Sequence, residues 1–208
     1  MEQLAQTIAA PVTNPGIMKF DNCLRDEDRE KIYEFLRQPS WGFGWKAEPM
    51  TDRFSFWHRH FAGPITPDHY EALDHLTPVD CAAELQKEAP LLYGLWAALS
   101  ASVLRGHRLV RCYANGQTYG SDGSLHTDSM APNSYTVIYY PHDRWSPNWA
   151  GETVFFSPDK TDIIASIYPR PNRMVCFPGT VPHLARGVSR TCPVMRITLM
   201  FKTELSHA

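Results

Sequence analysis

The spacing of hydrophobic and polar positions changes in character near residue 107. Before that point, two segments have apolar residues at helical spacing. The first, LRDEDREKIYEFLRQ (24–38), has acids near its start, a partial apolar stripe and Pro39 after its end, which predicts an amphipathic helix. The second, LLYGLWAALSASVL (91–104), follows Pro90 and is apolar at most positions, which predicts a buried helix.

From residue 108 onward, short runs rich in β-branched and aromatic residues alternate with Pro, Gly, Asn and Asp. These runs are RLVRCY, SYTVIYY, ETVFF, DIIASIY, RMVCF and VMRITLMF. No helical pattern separates them, so they predict an antiparallel sandwich or barrel. In the first half of the chain, GFGW (42–45) and FSFWHRHF (54–61) predict further strands that join or cover this core.

Length and composition fit a single domain with a substantial core. The 208 residues are 43% hydrophobic and 20% charged, which is ordinary for a globular protein. Helices followed by strands predict an α+β layout. We expect one domain over 1–208, with a helical and substrate-shaping part over 1–107 and a catalytic β-core over 108–202.

Charge, cysteine content and hydropathy narrow the function classes. A formal net charge of −2 argues against a general nucleic-acid binder. The chain starts without a basic segment followed by an apolar one, and no apolar run reaches the length of a membrane span. Five scattered cysteines without a CxxC pair are typical of reduced thiols. Together these observations predict a cytoplasmic protein that binds neither nucleic acid nor a membrane.

The segment GSLHTDS (123–129) places His126 and Asp128 two positions apart. On a β-strand such residues share a face, where an imidazole and a carboxylate could bind a metal or form an ordinary surface pair. His183, which follows the strand RMVCF and a Pro-Gly turn, is the best candidate for a third ligand. Two histidines and a carboxylate match the facial triad of non-haem Fe(II) oxygenases, although a zinc hydrolase could use the same set.

A buried cation would separate these two chemistries, because an oxygenase of this kind must hold an anionic cosubstrate. Arg196 lies in the otherwise apolar strand VMRITLMF, where an unpaired charge would be costly. Thr198 shares its face of the strand. An arginine beside a hydroxyl fits a carboxylate, which the guanidinium binds bidentately.

Four separated segments together resemble one family. In order, they are VRCYANGQTYGSDGSLHTD, TVIYYPHDRWSPNWAGETVFF, PRPNRMVCFPGTVPHLARGVS and RITLMF. This order resembles the Fe(II)- and 2-oxoglutarate-dependent dioxygenases, specifically the prolyl-4-hydroxylase-like branch, over residues 108 to 202. The resemblance implies a double-stranded β-helix, a jelly-roll or cupin-like barrel, flanked by N-terminal helices.

The resemblance also implies roles for individual residues. The implied ligands of Fe(II) are His126, Asp128 and His183. The residues implied to surround 2-oxoglutarate are Arg196, which would pair with its distal carboxylate, Thr198, Tyr140 and Tyr113. With O2 as the second cosubstrate, the implied reaction hydroxylates an unactivated C–H bond and releases succinate and CO2.

The substrate is where the sequence constrains least. We expect a small molecule, such as an amino acid, a sugar or a natural-product intermediate. The alternative is a prolyl or similar residue of a partner protein. Candidate substrate contacts are Arg59, Trp149 and Arg186. Outside the oxygenases, a zinc hydrolase or a metal-free binding module on a cupin-like barrel remains an alternative.

Overall fold

The computed structural model describes residues 16–47, 52–65 and 80–206. The helices in these ranges are α1 (Asp26–Leu36), α2 (Ala82–Glu88) and α3 (Pro90–Ala101). The strands are β1 (Met18–Phe20), β2 (Gly42–Trp45), β3 (Phe56–Ala62), β4 (His107–Gln117), β5 (Ser134–Tyr140), β6 (Thr153–Phe156), β7 (Ile163–Ile167), β8 (Arg173–Pro178), β9 (His183–Ala185) and β10 (Arg196–Leu205).

The strands form two antiparallel sheets. The large sheet has seven strands in the order β1-β8-β5-β10-β4-β3-β2, and the small one has three in the order β7-β6-β9. In the part of the chain that the structure describes, hydrogen bonds do not close the two sheets into one barrel. All six predicted β-runs after residue 108 are strands, so the predicted antiparallel β-core is confirmed.

Side-chain alternation gives the large sheet two different faces. On the central strand β10, Ile197, Leu199 and Phe201 point to one face and pack with α1, α2 and α3 in the main hydrophobic core. Arg196, Thr198, Met200 and Lys202 must therefore project from the other face. Met200 belongs to a second apolar cluster with residues of β5, β6 and β8, which fills the space between the two sheets. We call this second face the inner face.

The first half of the chain contributes more than helices to the fold. Both predicted helices are present with slightly different ends, and the buried residues of α3 confirm its predicted burial. The part over 1–107, which was expected to be helical, also supplies β1, β2 and β3 to the large sheet. Of these, β2 and β3 were predicted and β1 was not. Among the described residues, the helices lack the combination of length and apolar character that a bilayer span requires.

Candidate metal centre

His126, Asp128 and His183 converge at the edge of the inner face. Their metal-binding atoms all lie within 4.8 Å of one another. Asp128 sits between the histidines: Nε2 of His126 is 3.4 Å from its Oδ1, and Nε2 of His183 is 3.5 Å from its Oδ2. The sequence-predicted triad is therefore brought together, and this arrangement of two imidazoles and one carboxylate could hold a divalent metal.

Strand β9 carries His183, and backbone hydrogen bonds fix His126 and Asp128 beside it. His126 and His183 face each other in an isolated antiparallel bridge, with N–H···O distances of 3.0 and 2.9 Å. The N–H of Asp128 donates to the Gly179 carbonyl at 2.9 Å. His126 and Asp128 lie outside the named strands, but their bonds to β9 and to the β8–β9 connection still aim both side chains at one point.

Both histidines turn the same ring nitrogen toward Asp128. Nδ1 of His126 is 2.8 Å from the Ser124 carbonyl, and Nδ1 of His183 is 3.0 Å from the Val181 carbonyl. A carbonyl only accepts, so each Nδ1 carries the proton in the neutral ring and each Nε2 presents its lone pair. Oriented imidazoles of this kind are typical of metal ligands.

The second carboxylate oxygen of Asp128 is held by two side chains that the sequence analysis missed. The Thr136 hydroxyl donates to Oδ2 at 2.6 Å, and the Lys202 ammonium makes an ion pair with the same oxygen. Lys202 also donates to the Thr136 hydroxyl at 3.0 Å. A signal for Lys202 was present in the sequence, because it lies at the same two-residue spacing as Arg196 and Thr198 along β10.

The charges of this centre are set by burial and by mutual contact. Burial alone would raise the pKa of Asp128, but Lys202 and the two imidazoles hold that pKa well below its ordinary value. Burial lowers the pKa of His183 to about 4. Burial also opposes protonation of His126, yet its contacts with Asp128 raise its pKa overall. Asp128 is therefore ionised and His183 neutral near pH 7, which are the protonation states that metal ligation requires.

Arg196 lies at the far end of the inner face and is fully buried. Its Nε donates to the Gly151 carbonyl at 2.6 Å, and its two terminal nitrogens donate to Gln117 Oε1 at 2.6 Å and to the Thr153 hydroxyl at 3.0 Å. The Tyr140 ring centroid is 5.6 Å from the guanidinium carbon. The structure thus places Tyr140 beside Arg196 and adds three acceptors that the sequence analysis did not identify.

Gly151 is required where it approaches Arg196. Its φ of +87° falls in the left-handed region that favours glycine, and a Cβ there would lie 3.1 Å from Arg196 Cδ. Gly151 lies in the segment TVIYYPHDRWSPNWAGETVFF, directly before β6. The close approach of its backbone to Arg196 favours glycine at this position.

The remaining residues predicted around 2-oxoglutarate also lie on the inner face. Thr198 is buried and pairs across the sheet with Asn115. Tyr113 is buried opposite Met200, with its ring centroid 6.0 Å from Lys202 Nζ. These residues occupy the face that connects Arg196 with the triad.

Arg59, one of the three predicted substrate contacts, is not brought to the metal centre. It projects from the opposite face of β3, where Nη1 donates to the Phe35 carbonyl at 2.7 Å and the guanidinium lies over the Phe35 ring. Its neighbours His58 and His60 face inward instead. The large sheet therefore separates Arg59 from the triad.

Trp149 and Arg186 lie near the Arg196 end of the site. Trp149, in a 3-10 turn (Pro147–Trp149), packs edge-on against Trp145 with ring centroids 5.4 Å apart. Arg186 is exposed, and its backbone N–H donates to the Glu152 carbonyl at 2.9 Å. Both flank the segment that contacts Arg196, and neither makes a side-chain contact with the triad among the described residues.

A group of four inner-face side chains from β2, β3 and β4 adjoins the triad. We call Trp45, His58, Arg111 and Tyr113 the Arg111 cluster. The guanidinium carbon of Arg111 lies over the rings of Tyr113 at 4.2 Å and Trp45 at 4.9 Å. The His58 ring stacks on Trp45, with centroids 3.8 Å apart and planes within 8°. The cluster is an aromatic and cationic surface in which His58, Arg111 and Tyr113 are buried and Trp45 is partly exposed.

Two antiparallel sheets bring two histidines and a carboxylate to one point, an arrangement that a non-haem Fe(II) oxygenase and a zinc hydrolase could both use. Comparison with protein families makes this specific. Residues 109–201 match the 2OG-Fe(II) oxygenase superfamily. This match supports an oxidoreductase of that superfamily, which uses Fe(II), 2-oxoglutarate and O2.

Solved structures of this fold match most of the chain. One is a prolyl-4-hydroxylase from Pseudomonas putida, with a TM-score of 0.57, 17% identity, and coverage of 92% of this chain and 94% of that one. A Trichoplax adhaerens prolyl hydroxylase in complex with a hypoxia inducible factor peptide gives a TM-score of 0.57, 14% identity, and coverage of 92% and 84%. HygX from Streptomyces hygroscopicus, with nickel and 2-oxoglutarate bound, gives a TM-score of 0.60 and 12% identity, with coverage of 92% of this chain and 83% of that one.

No curated protein matches the chain by sequence. At these identities the solved structures establish the fold alone, and they confirm the predicted double-stranded β-helix. The superfamily match confirms the predicted family and answers a question that the triad left open, because it favours an oxygenase over a zinc hydrolase or a binding module.

Proposed function

We propose that this oxygenase hydroxylates a C–H bond of a small molecule, with Fe(II) held by His126, Asp128 and His183. The observation that carries the assignment is the convergence of two oriented imidazoles and a buried carboxylate within 4.8 Å. Thr136 and Lys202 both bind Oδ2 of Asp128, so we assign Oδ1 to the metal. Nitrogen and carboxylate donors in this combination suit Fe(II).

Arg196 is the residue we assign to the distal carboxylate of 2-oxoglutarate. A guanidinium has five N–H groups, and Gly151, Gln117 and Thr153 accept three of these. Those three contacts hold the fork rigidly in a buried, low-dielectric site, where an anion is bound strongly. Tyr140, Thr198 and Tyr113 line the face between Arg196 and the triad and would position the cosubstrate along it.

When bound, Fe(II) and 2-oxoglutarate supply an oxidant that hydroxylates the substrate as O2 is consumed and succinate and CO2 are released. The protein's own contribution is orientation and exclusion of water. Phe177 and Phe155 place their rings 4.8 and 5.9 Å from the His183 ring, on the side of the second apolar cluster. Their packing keeps that side of the centre dry.

The Arg111 cluster supports a small-molecule substrate. Arg111 and His58 are only 2% and 8% exposed, so the polar groups beside the triad lie in an enclosed surface that suits a compact ligand. The alternative, a prolyl-type protein hydroxylase, is favoured by the likeness to the peptide-bound Trichoplax enzyme. One assay can test both substrates.

The test is 2-oxoglutarate-dependent succinate release after anaerobic loading with Fe(II), with separate panels of metabolites and proline-containing peptides. We expect alanine substitution of His126, Asp128 or His183 to abolish turnover and to weaken metal binding, which Mn(II) titration followed by electron paramagnetic resonance measures independently. His107→Ala is the matched control, because His107 contacts Thr203 away from the triad. Normal Mn(II) affinity and turnover in a triad variant would overturn the assignment, whereas stimulation by peptides alone would favour the protein hydroxylase.

A further inference from the structure

We propose that the Arg111 cluster is the substrate subsite, and that it binds a carboxylate through Arg111 and a neighbouring N–H or O–H group through His58. The corresponding substrate class is the free amino acid or a similar small acid with a donor next to its carboxylate. This inference rests on the proposed function, because it names the substrate of the same metal centre.

The sheet register places Arg111 beside the metal centre. Arg111 on β4 pairs directly with Lys202 on β10, and the Lys202 ammonium contacts Asp128. Directly paired residues on neighbouring antiparallel strands project from the same face with closely spaced Cβ atoms. The charge of Asp128 acts on Arg111 accordingly, since it opposes the lowering of the Arg111 pKa that burial causes. A ligand held by Arg111 would therefore lie next to the triad.

The chemistry of Arg111 suits a carboxylate. Its guanidinium stacks over the rings of Tyr113 and Trp45, and a guanidinium that stacks through its face donates N–H groups in its plane. Donation in the plane is the geometry that binds the two oxygens of a carboxylate. Because Arg111 is 2% exposed, the attraction is weakly screened by solvent. We assign the substrate carboxylate to Arg111 on this stacking and burial, while Lys202 holds Asp128.

His58 supplies the second half of the recognition. Its Nδ1 lies 3.2 Å from Asn115 Oδ1, and with the proton on Nδ1 its Nε2 is an acceptor. Within the described residues, Nε2 is buried without a hydrogen-bond partner. Burial lowers the pKa of His58 to about 3, so the ring is neutral and cannot donate from Nε2 near pH 7. Such an atom costs free energy unless a ligand donates to it.

His60 on the same strand repeats this pattern. Its Nε2 contacts the Gly63 carbonyl at 2.8 Å, which leaves Nδ1 as a second buried acceptor without a partner among the described residues. An ammonium or amine group has several N–H donors. A carboxylate with an adjacent amino group therefore matches Arg111 and the two imidazole acceptors better than a neutral apolar substrate does.

The test compares the common L-amino acids with their primary amides, which keep the shape but lose the negative charge. Both sets are offered to the Fe(II)-loaded enzyme with 2-oxoglutarate, and substrate-stimulated succinate release is measured. Binding is followed separately, without O2, through tryptophan fluorescence. We expect at least one acid to stimulate turnover with an apparent KM at least about tenfold below that of its amide.

Arg111→Gln should abolish this discrimination, because it should raise the apparent KM for the acid about tenfold or more and leave the KM for the amide nearly unchanged. Arg111→Lys, which keeps a positive charge, should retain part of the preference for the acid. The matched control is Arg108→Gln, because Arg108 lies on the same strand but forms a partly buried ion pair with Glu204 instead. Thermal melting verifies that each variant is folded.

The possible results separate this inference from the proposed function. Uncoupled succinate release by wild type without any acid supports the proposed function regardless of what the panel shows. If that turnover occurs but amides serve as well as acids, or no acid binds or stimulates, the assignment of the Arg111 cluster is overturned. Retention of acid preference in both Arg111 variants would overturn it too. Absence of all turnover in metal-loaded enzyme would instead count against the proposed function.

Discussion

Replacing Lys202 with methionine should make the stability of the protein strongly dependent on bound metal. The substitution keeps the length of the side chain but removes the ammonium that pairs with Asp128. Both side chains are almost fully buried, at 12% and 7% exposure. Removing one partner of a buried ion pair leaves the other charge uncompensated and costs about 3–5 kcal/mol. We expect a loss of this size in the free energy of unfolding of the metal-free protein.

A bound divalent metal should restore most of this loss, because it supplies positive charge to the same carboxylate. The assay is thermal unfolding of wild type and Lys202→Met with EDTA and with Mn(II). For a chain of this length, about 1 kcal/mol corresponds to roughly 2–4 °C in melting temperature. The metal-free variant should therefore melt about 6–20 °C below wild type, and Mn(II) should narrow the gap to a few degrees.

Lys87→Met serves as the control for lysine replacement itself. Lys87 pairs with Glu88 on an exposed surface, where an ion pair contributes well under about 1 kcal/mol. A metal-free Lys202→Met protein that melts within about 2 °C of wild type would refute the assigned role of Lys202. So would an equal loss of stability with and without Mn(II), since metal and ammonium would then not be compensating the same carboxylate.

Three further results are expected. Arg196→Lys keeps a positive charge but loses the planar fork, so the apparent KM for 2-oxoglutarate should rise at least about tenfold while Mn(II) affinity stays unchanged; an unaltered KM would exclude Arg196 as the anchor. Gly151→Ala should lower the free energy of unfolding in urea by about 1–3 kcal/mol, because alanine is strained at a positive φ and its Cβ would contact Arg196. The same contact should raise the apparent KM for 2-oxoglutarate. An unfolding curve like that of wild type would contradict this. Burial lowers the pKa of His142 to about 3, below its ordinary 6.5. As the pH falls, His142 therefore takes up a proton in the unfolded chain before it does so in the folded protein. The free energy of unfolding should fall between about pH 6.5 and pH 3, by up to about 1.4 kcal/mol per pH unit. His142→Gln should remove that contribution in urea unfolding at pH 7, 6 and 5, and identical pH profiles for the two proteins would count against it.

The elements that the sequence predicted well are those long enough to display a period. The helices and the strands from β4 to β8 each repeat a local pattern, and packing of the resulting faces stabilises them. The strands β1 and β9 have three residues each, which is too short to show alternation. They form because β8 and β6 present backbone donors and acceptors to them. The His126–His183 bridge depends on the same kind of long-range pairing.

The candidate site was predictable where its residues have distinctive chemistry and not where they depend on register. His126, Asp128 and His183 stand out as metal-binding residue types in a fitting order. Thr136 is an ordinary strand threonine, and only its pairing opposite Lys202 gives it a role at Asp128. Alternation on β3 does separate Arg59 from His58, but no local pattern says which of the two faces meets the metal centre.

Strand β10 links the stability of the fold to the geometry of the site. Ile197, Leu199 and Phe201 are almost completely buried, and each contributes about 1.5–3 kcal/mol by leaving water. Because side chains alternate, a slip of β10 by one residue would expose those three to the inner face and drive Arg196 and Lys202 into the main core. The apolar core therefore selects the register that points both cations inward. Substitutions such as Leu199→Ala, far from any reacting group, should consequently loosen the site as they destabilise the fold.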